Sequence, residues 1–259
     1  HTGERRWIFH TIPHPGKFGY DTWPEDAWLN SGSANNWGGM TLDEERGTVF
    51  IATGSPSFDF YGGDRPGKNL FGNCVVTLDA ATGERIWHFQ TVHHDLWDYD
   101  LPCPPNLVTV VRDGRRIDAV AQVTKTGQVF VLERDTGRPV FGVEERPVPR
   151  SDMPGESAWP TQPFALQPPP FVRQGLTEDV ATDISPESRR DVLARLDSAR
   201  TGRIFTPPSR QGTIVYPGFH GGANWSGASW NPHTGVLYVN ANELPWLLTM
   251  IKAEEGKPY

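Results

Sequence analysis

Residues 93–100, His-His-Asp-Leu-Trp-Asp-Tyr-Asp, place three carboxylates, two imidazoles and two aromatic rings in eight positions. A solvated loop rarely interleaves that much charge with Trp97 and Tyr99, and a plain strand does not carry an acid at every second or third position. A carboxylate held beside aromatic walls at a strand end has what a general base needs. Partial desolvation raises its pKa, and a nearby cation pulls it back. The plainer alternative is a hydrogen-bonded corner that ties a loop to a core.

The element that delivers this stretch reads as a strand from Arg85 to Val92, and Leu101-Pro102-Cys103-Pro104-Pro105 ends any regular pairing after it. Around it a pattern recurs. Leu78-Asp79-Ala80-Ala81-Thr82-Gly83-Glu84-Arg85-Ile86-Trp87 is echoed by Leu132-Glu133-Arg134-Asp135-Thr136-Gly137-Arg138-Pro139-Val140-Phe141, and a clipped copy, His1 to Trp7, opens the chain. Each reads as a strand, a turn with glycine in the left-handed region and a second strand closing on a large aromatic. Leu42–Ile51 and Trp230–Val239 are sibling hairpins without the final Trp, and two-residue alternation marks 49–53, 119–124, 129–133 and 236–240. Repeated hairpins with periodic Gly and Trp predict an all-β propeller in which the closing indole wedges between neighbouring blades.

Composition agrees. Gly (27) and Pro (24) together approach a fifth of the 259 residues, which suits many short strands and tight turns, while ten Trp and thirteen Phe can fill a core. The net charge of −7 and the lack of any Lys/Arg stripe argue against nucleic acid as a partner. No apolar run reaches the roughly 18 residues of a membrane span. Cys74 and Cys103, the only cysteines, fit no metal spacing and read as two idle, buried thiols. Two segments interrupt the rhythm: a loop at 10–30, and a Pro-rich and helical insertion at 144–203 whose helix starts at the Ser185 N-cap and runs to about Arg200. About four blade equivalents of roughly 40–50 residues remain. The opening at His1-Thr2-Gly3 looks like the middle of a turn and a new hairpin begins near Tyr259, so the expectation is a central fragment, catalytically silent alone.

The hairpin repeat, the His-His-Asp-Leu-Trp-Asp string and Lys125-Thr126-Gly127-Gln128-Val129-Phe130-Val131-Leu132 together resemble the pyrroloquinoline-quinone (PQQ) dependent dehydrogenases, which are eight-bladed propellers. Thr161-Gln162-Pro163-Phe164 and Ile204 to Ser209 are similar to strings of the membrane-type glucose and polyol enzymes. The resemblance runs the length of the chain but matches only the middle of such an enzyme. It implies that Asp98 is the general base, taking a hydroxyl proton while a hydride passes to the C5 carbonyl of the quinone. It implies Lys125 as the cation beside the quinone oxygens, an electrostatic role. Alcohol-type members carry arginine there, so lysine leans towards sugars and polyols. Trp37 matches the stacking indole, with Gly38 and Gly39 permitting close approach, and Asn224 and Trp225 match a second cofactor contact. The implied metal is Ca²⁺ or Mg²⁺ held by oxygen ligands, with Ser55 at the usual asparagine position, Ser57 as the glucose-type hydroxyl and an acidic ligand upstream of His1. Asp95 and Asp100 are expected to be structural, holding His93, His94 and the backbone of the corner. A quinone or cytochrome acceptor and a periplasmic or membrane-associated location follow from the resemblance alone.

Two other readings compete. A propeller kept as a binding or assembly scaffold would have no reason to hold Asp98, Lys125 and Trp37 together. A lectin-like propeller could stack sugars on Trp23, Trp28 and Trp97, but leaves Lys125 unexplained.

Overall fold

The computed structural model describes residues 2–253; His1 of the opening repeat, and Tyr259, lie outside the described residues. Strands β1 (Met40–Asp43), β2 (Thr48–Ala52), β3 (Cys74–Asp79) and β4 (Arg85–Gln90) form one antiparallel sheet in chain order. Strands β5 (Asn106–Arg112), β6 (Arg115–Val123) and β7 (Val129–Glu133) form a second. Three two-stranded ladders complete the described sheets. They are β8 (Val143–Pro147) with β9 (Thr161–Ala165), β10 (Thr213–Val215) with β13 (Trp246–Leu248), and β11 (Ala228–Asn231) with β12 (Val236–Val239). Every ladder is antiparallel.

Alternation sorts the side chains onto two faces. Phe50, Ala52 and Val75 of the first sheet meet Val120, Phe130 and Leu132 of the second, with Trp87 and Leu101 between them. The opposite faces turn outward to their own neighbours. Val49, Ile51, Val76 and Leu78 pack with Trp7 and Phe9, while Ala119, Ala121, Val123 and Val131 pack with Trp230, Leu237 and Val239 of the β11–β12 ladder. The order is therefore N-terminal segment, first sheet, second sheet, β11–β12: a stack of blades.

The repeated Trp works as a wedge with a fixed hydrogen bond. Trp7 Nε1 donates to Ala80 O at 3.1 Å, and Trp87 Nε1 donates to Arg134 O at 2.7 Å. Ala80 and Arg134 are the third residues of consecutive repeats, so each indole docks on the same position of the next turn. The repeat glycine is required there twice over. Gly83 and Gly137 have φ of 74° and 70°, and a Cβ on either would lie 2.5 Å from the Cε3 of Trp7 or Trp87.

Several expectations change. Residues 2–10 carry Gly3 in the left-handed region but no strand, so the clipped opening copy is extended and unladdered. In the third repeat the closing strand shrinks to a single bridge, Leu132↔Pro139, because proline has no N–H to continue a ladder. The 10–30 loop contains a 3₁₀ turn (Tyr20–Thr22) and a one-turn helix α1 (Ala27–Asn30). The 144–203 segment holds helix α2 (Pro186–Ser198), capped by Ser185 accepting from Ser188 N, but also most of the β8–β9 hairpin. A turn signal also went unread: Asp113-Gly114 joins β5 to β6 with φ of 50° and 73°, the conformation of a tight hairpin. Both cysteines are free and buried, and burial raises both thiols, Cys103 to about 12.

Replacing Trp87 by Ala removes the wedge between the first two sheets and should cost about 3–5 kcal/mol of unfolding free energy. Trp87→Phe should lose only about 1 kcal/mol, the bond to Arg134 O. Urea unfolding of the two variants measures this, and equal losses would contradict a hydrogen-bonded wedge.

Candidate active site

β4 ends at Gln90, and the chain then turns through 93–100 around one buried carboxylate. Asp95 is fully buried and accepts from Trp97 N (2.8 Å), Tyr99 N (2.7 Å), Asn73 Nδ2 (2.9 Å) and Ser55 Oγ (2.5 Å). Burial raises its carboxyl in spite of these donors. A second buried charge supports it from behind: the Arg65 guanidinium donates to Asp95 O (2.5 Å), Phe58 O, Ser57 O and Asn69 Oδ1. Asp95 thus holds the backbone of the corner as expected. The two histidines, however, are held by other acids: His93 Nε2 meets Glu145 at 2.9 Å and His94 Nε2 meets Glu156 at 2.8 Å. These pairs tie the corner to β8 and to the 153–157 turn.

The corner then alternates. Trp97 and Tyr99 are fully buried; Trp97 Nε1 donates to Thr206 O at 2.8 Å and the Tyr99 hydroxyl to Pro217 O at 2.6 Å. They anchor the loop in the core with Phe205 and Val215 instead of walling the carboxylates. Asp98 and Asp100 point the other way. Asp98 has φ of 57°, a left-handed conformation that aspartate tolerates better than most residues.

Lys125 comes from the tight turn between β6 and β7, where Thr124 Oγ1 accepts from Gln128 N and donates to Gln128 O. Its ammonium donates to Asp98 O (2.8 Å), Asp98 Oδ2 (3.0 Å) and Asp100 Oδ2 (2.7 Å), and its side chain is 5% exposed. Asp100 Oδ1 accepts from Ser55 N at 2.5 Å. Asp100 is therefore part of the charge cluster, where sequence reasoning expected only a structural acid. Burial and then the neighbouring Asp100 carboxylate push Asp98 up to about 8. Burial also disfavours ionised Asp100, but Lys125 outweighs it and holds Asp100 below the ordinary carboxyl value. Lys125 itself is held above the ordinary lysine value, because Asp100 and Asp98 together overcome its desolvation. Asp59, unnoticed in the sequence, joins the same field: partial burial, then Asp100 and Asp95, raise its carboxyl.

Trp37 lies beside this cluster with its indole 46% exposed, and a Cβ on Gly54 would sit 3.0 Å from its Nε1, next to Asp100. Gly38 is needed for a different reason than the one expected. A Cβ there would lie 2.5 Å from the Pro102 carbonyl carbon and 2.7 Å from Cys103 N, so the glycine lets two backbones pass. The 218–227 segment crosses the Lys125 turn, with Gly222 N donating to Lys125 O at 2.7 Å. Together these elements form a partly exposed site with an acid able to take a proton, a buried ammonium and an open aromatic face.

The family model for PQQ-type glucose/ethanol/alcohol dehydrogenases, their beta-propeller domain, matches residues 1–259. The chain belongs to that family. It is 35% identical over 97% of its length to the quinate/shikimate dehydrogenase (quinone) of Acinetobacter baylyi, covering 31% of that protein. It is 34% identical over 99% of its length to the quinoprotein glucose dehydrogenase of Escherichia coli, covering 32% of it. The glycerol dehydrogenase large subunit of Gluconobacter oxydans is 38% identical over 86% of this chain and covered to 31%. The chain thus spans about a third of the length of the curated relatives it matches. In fold it superposes on a quinohemoprotein alcohol dehydrogenase of Pseudomonas putida with a TM-score of 0.66 at 24% identity, over all of this chain and 34% of that one.

Against the family pattern the site residues divide. Asp98, Lys125 and Trp37 gather around Asp100 and Gly54. Asn224 turns into its own loop, its Nδ2 donating to His220 O (2.7 Å) and its Oδ1 accepting from Trp225 N (2.8 Å), and Trp225 is 76% exposed. The two serines lie in separate networks. Ser55 Oγ is engaged by Asp95 and Asn73, while Ser57 Oγ donates to Ser33 Oγ at 3.0 Å in a separate network. Among the described residues no group of three or more His, Cys, Asp or Glu side chains is arranged to hold a metal ion. Trp23 and Trp97, proposed sugar platforms under the lectin-like alternative, are buried.

Because Asp98 titrates higher in the folded protein than a free carboxyl, folding favours its protonated form. The stability this contributes is full below about pH 4 and is lost as pH rises through about 8. Asp98→Asn should therefore stabilise the protein at pH 9 by about 0.5–2 kcal/mol, with the gain vanishing towards pH 4. Denaturant unfolding at the two pH values measures it, and a pH-independent gain would contradict the assigned proton.

Proposed function

We propose that this chain carries the catalytic face of a PQQ-dependent dehydrogenase that oxidises a sugar, polyol or alcohol hydroxyl to a carbonyl, with a quinone or cytochrome as final electron acceptor. One observation carries it: Lys125 Nζ lies 3.0 Å from the Asp98 carboxylate beside the half-exposed indole of Trp37. A scaffold would have no reason to keep Asp98, Lys125 and Trp37 together. Relatives named for quinate, glycerol and glucose oxidation agree with a hydroxyl substrate.

The donor set fits PQQ. The Trp37 face offers a stacking surface for a planar ring, and the Lys125 ammonium offers positive charge beneath it. Bound PQQ would supply the quinone carbonyl that accepts the two electrons as hydride. The chain's own residues do the rest. The Asp98 carboxylate takes the hydroxyl proton of the substrate. Asp100 fixes Lys125, and Lys125 in turn orients Asp98 through its carboxylate and its carbonyl oxygen. All three Lys125 protons are already engaged, so contact with a quinone oxygen requires exchange of one Asp98 acceptor. No step is assigned to the Ca²⁺ or Mg²⁺ that family resemblance implies. Placement on the periplasmic side of a membrane rests on the same resemblance. Among the described residues no helix is long and apolar enough to cross a membrane.

Two outcomes test the assignment in the full-length enzyme. Dye-linked kcat/KM should rise with pH up to about 8 and then level off, as Asp98 ionises, and Asp98→Asn should lower turnover about 10²–10⁴-fold while PQQ still binds. A variant keeping more than about a tenth of wild-type activity, above the loss expected for a general base, would refute the base. Lys125→Ala should weaken PQQ affinity in an equilibrium fluorescence titration as well as slow turnover. Unchanged affinity would remove Lys125 from the cofactor contacts.

A further inference from the structure

Resting on that reading, we propose that His220 determines specificity by donating a hydrogen bond from Nε2–H to a second hydroxyl of the substrate, so that the site prefers polyhydroxylated substrates to monohydric alcohols.

The loop that carries His220 is pinned against the catalytic cluster at several points. Before it, Pro217 O accepts the Tyr99 hydroxyl at 2.6 Å. After it, Gly221 passes so close to Lys125 that a Cβ there would lie 2.5 Å from Lys125 Cγ and 2.8 Å from its Cα, and Gly222 N donates to Lys125 O. Asn224 Nδ2 closes the loop on His220 O. The His220 side chain is thus one residue from the Lys125 contact, yet the residue is exposed.

Its ring belongs to an aromatic wall. It stacks with Phe219 (4.8 Å between centroids, 23°) and with Trp246 (5.1 Å, 20°). Phe60 meets Phe219 edge-on at 5.9 Å, and Phe60 follows Asp59, whose carboxyl feels Asp100 and Lys125. Trp246 is rigidly placed because it opens β13 opposite Val215 of β10. Trp246 Nε1 lies 3.0 Å from His220 Nδ1. An indole N–H can only donate, so Nδ1 must present its lone pair and the imidazole proton must sit on Nε2. That Nε2–H has no partner among the described residues. A fixed donor on an apolar wall suits the alternating C–H and O–H surface of a polyol. A substrate whose single hydroxyl is engaged by Asp98 has nothing to offer it.

The experiment uses the full-length holoenzyme with PQQ and the series glycerol, 1,2-propanediol and 1-propanol, which changes the hydroxyl count on one carbon chain. An alcohol that is not turned over is measured as a competitive inhibitor. His220→Ala should lower the glycerol-to-1-propanol ratio of kcat/KM, or of affinity, about two- to tenfold, the worth of one neutral hydrogen bond, mainly through KM. His220→Gln, which keeps a side-chain N–H, should recover at least part of that loss, and both variants should still melt cooperatively and bind PQQ as the wild type does. An unchanged ratio, or an equal loss on all three alcohols, would overturn the proposal while leaving the dehydrogenase reading intact. A wild-type protein that neither binds PQQ nor turns over any of the three removes that reading, and the proposal with it.

Discussion

The structure around the site depends on one ammonium placed between two buried carboxylates. Asp98 and Asp100 are separated by a single residue and face the same side of the corner, so without a cation their mutual repulsion and desolvation would oppose burial of both. Lys125 answers with three donations, two to carboxylate oxygens and one to the Asp98 carbonyl. It does not neutralise the cluster. Asp95 and Asp59 add further acid, and the compensating guanidinium of Arg65 is directed at carbonyl oxygens. Burial first, and then the excess of carboxyls over cations, leaves Asp98 holding a proton near neutrality, and a proton that is easily held and lost is what a general base must manage.

Placing that ammonium is a task for the blade stack. Lys125 belongs to the second sheet and the corner follows the first, so their separation is set by how the sheets pack. The indole of Trp87 fixes this spacing, bonded to Arg134 O and seated on Gly137. The corner has its own frame. Asp95 gathers the N–H groups of Trp97 and Tyr99, and these two side chains donate to carbonyls far downstream in the chain, those of Thr206 and Pro217. Two-residue alternation then does the sorting: residues 97 and 99 enter the core, and 98 and 100 meet Lys125. The aromatic residues make the site rigid without lining it.

Membership of the PQQ dehydrogenase family and the local geometry meet at Asp98, Lys125 and Trp37, and part at Ser55, Ser57 and Asn224. The hydroxyls and the amide are bonded within the chain. Ser55 serves the corner from both sides, its hydroxyl on Asp95 and its N–H on Asp100, which makes it a support for the base and not a free ligand.

Much was legible in the residues themselves. The hairpins at 42–51, 78–87 and 230–239 and the N-cap at Ser185 are local consequences of turn chemistry and two-residue periodicity, which need only neighbours in the chain, and the wedge role of the repeated Trp followed from the repeat itself. The concentration of acids in 93–100 was likewise visible, while the choice of Asp98 and Lys125 came from the family resemblance. What residue types could not reveal was which acid faces which partner. His93 and His94 pair with Glu145 and Glu156, and Asp100 rather than Asp95 meets Lys125. Arg65, which no local pattern marks, is buried beneath the corner. His220 gains its tautomer from Trp246, 26 residues away. Each of these is a long-range pairing of buried or partly buried charge and hydrogen-bond donors. Its sign and strength depend on distance and desolvation, and those exist only once the sheets have packed.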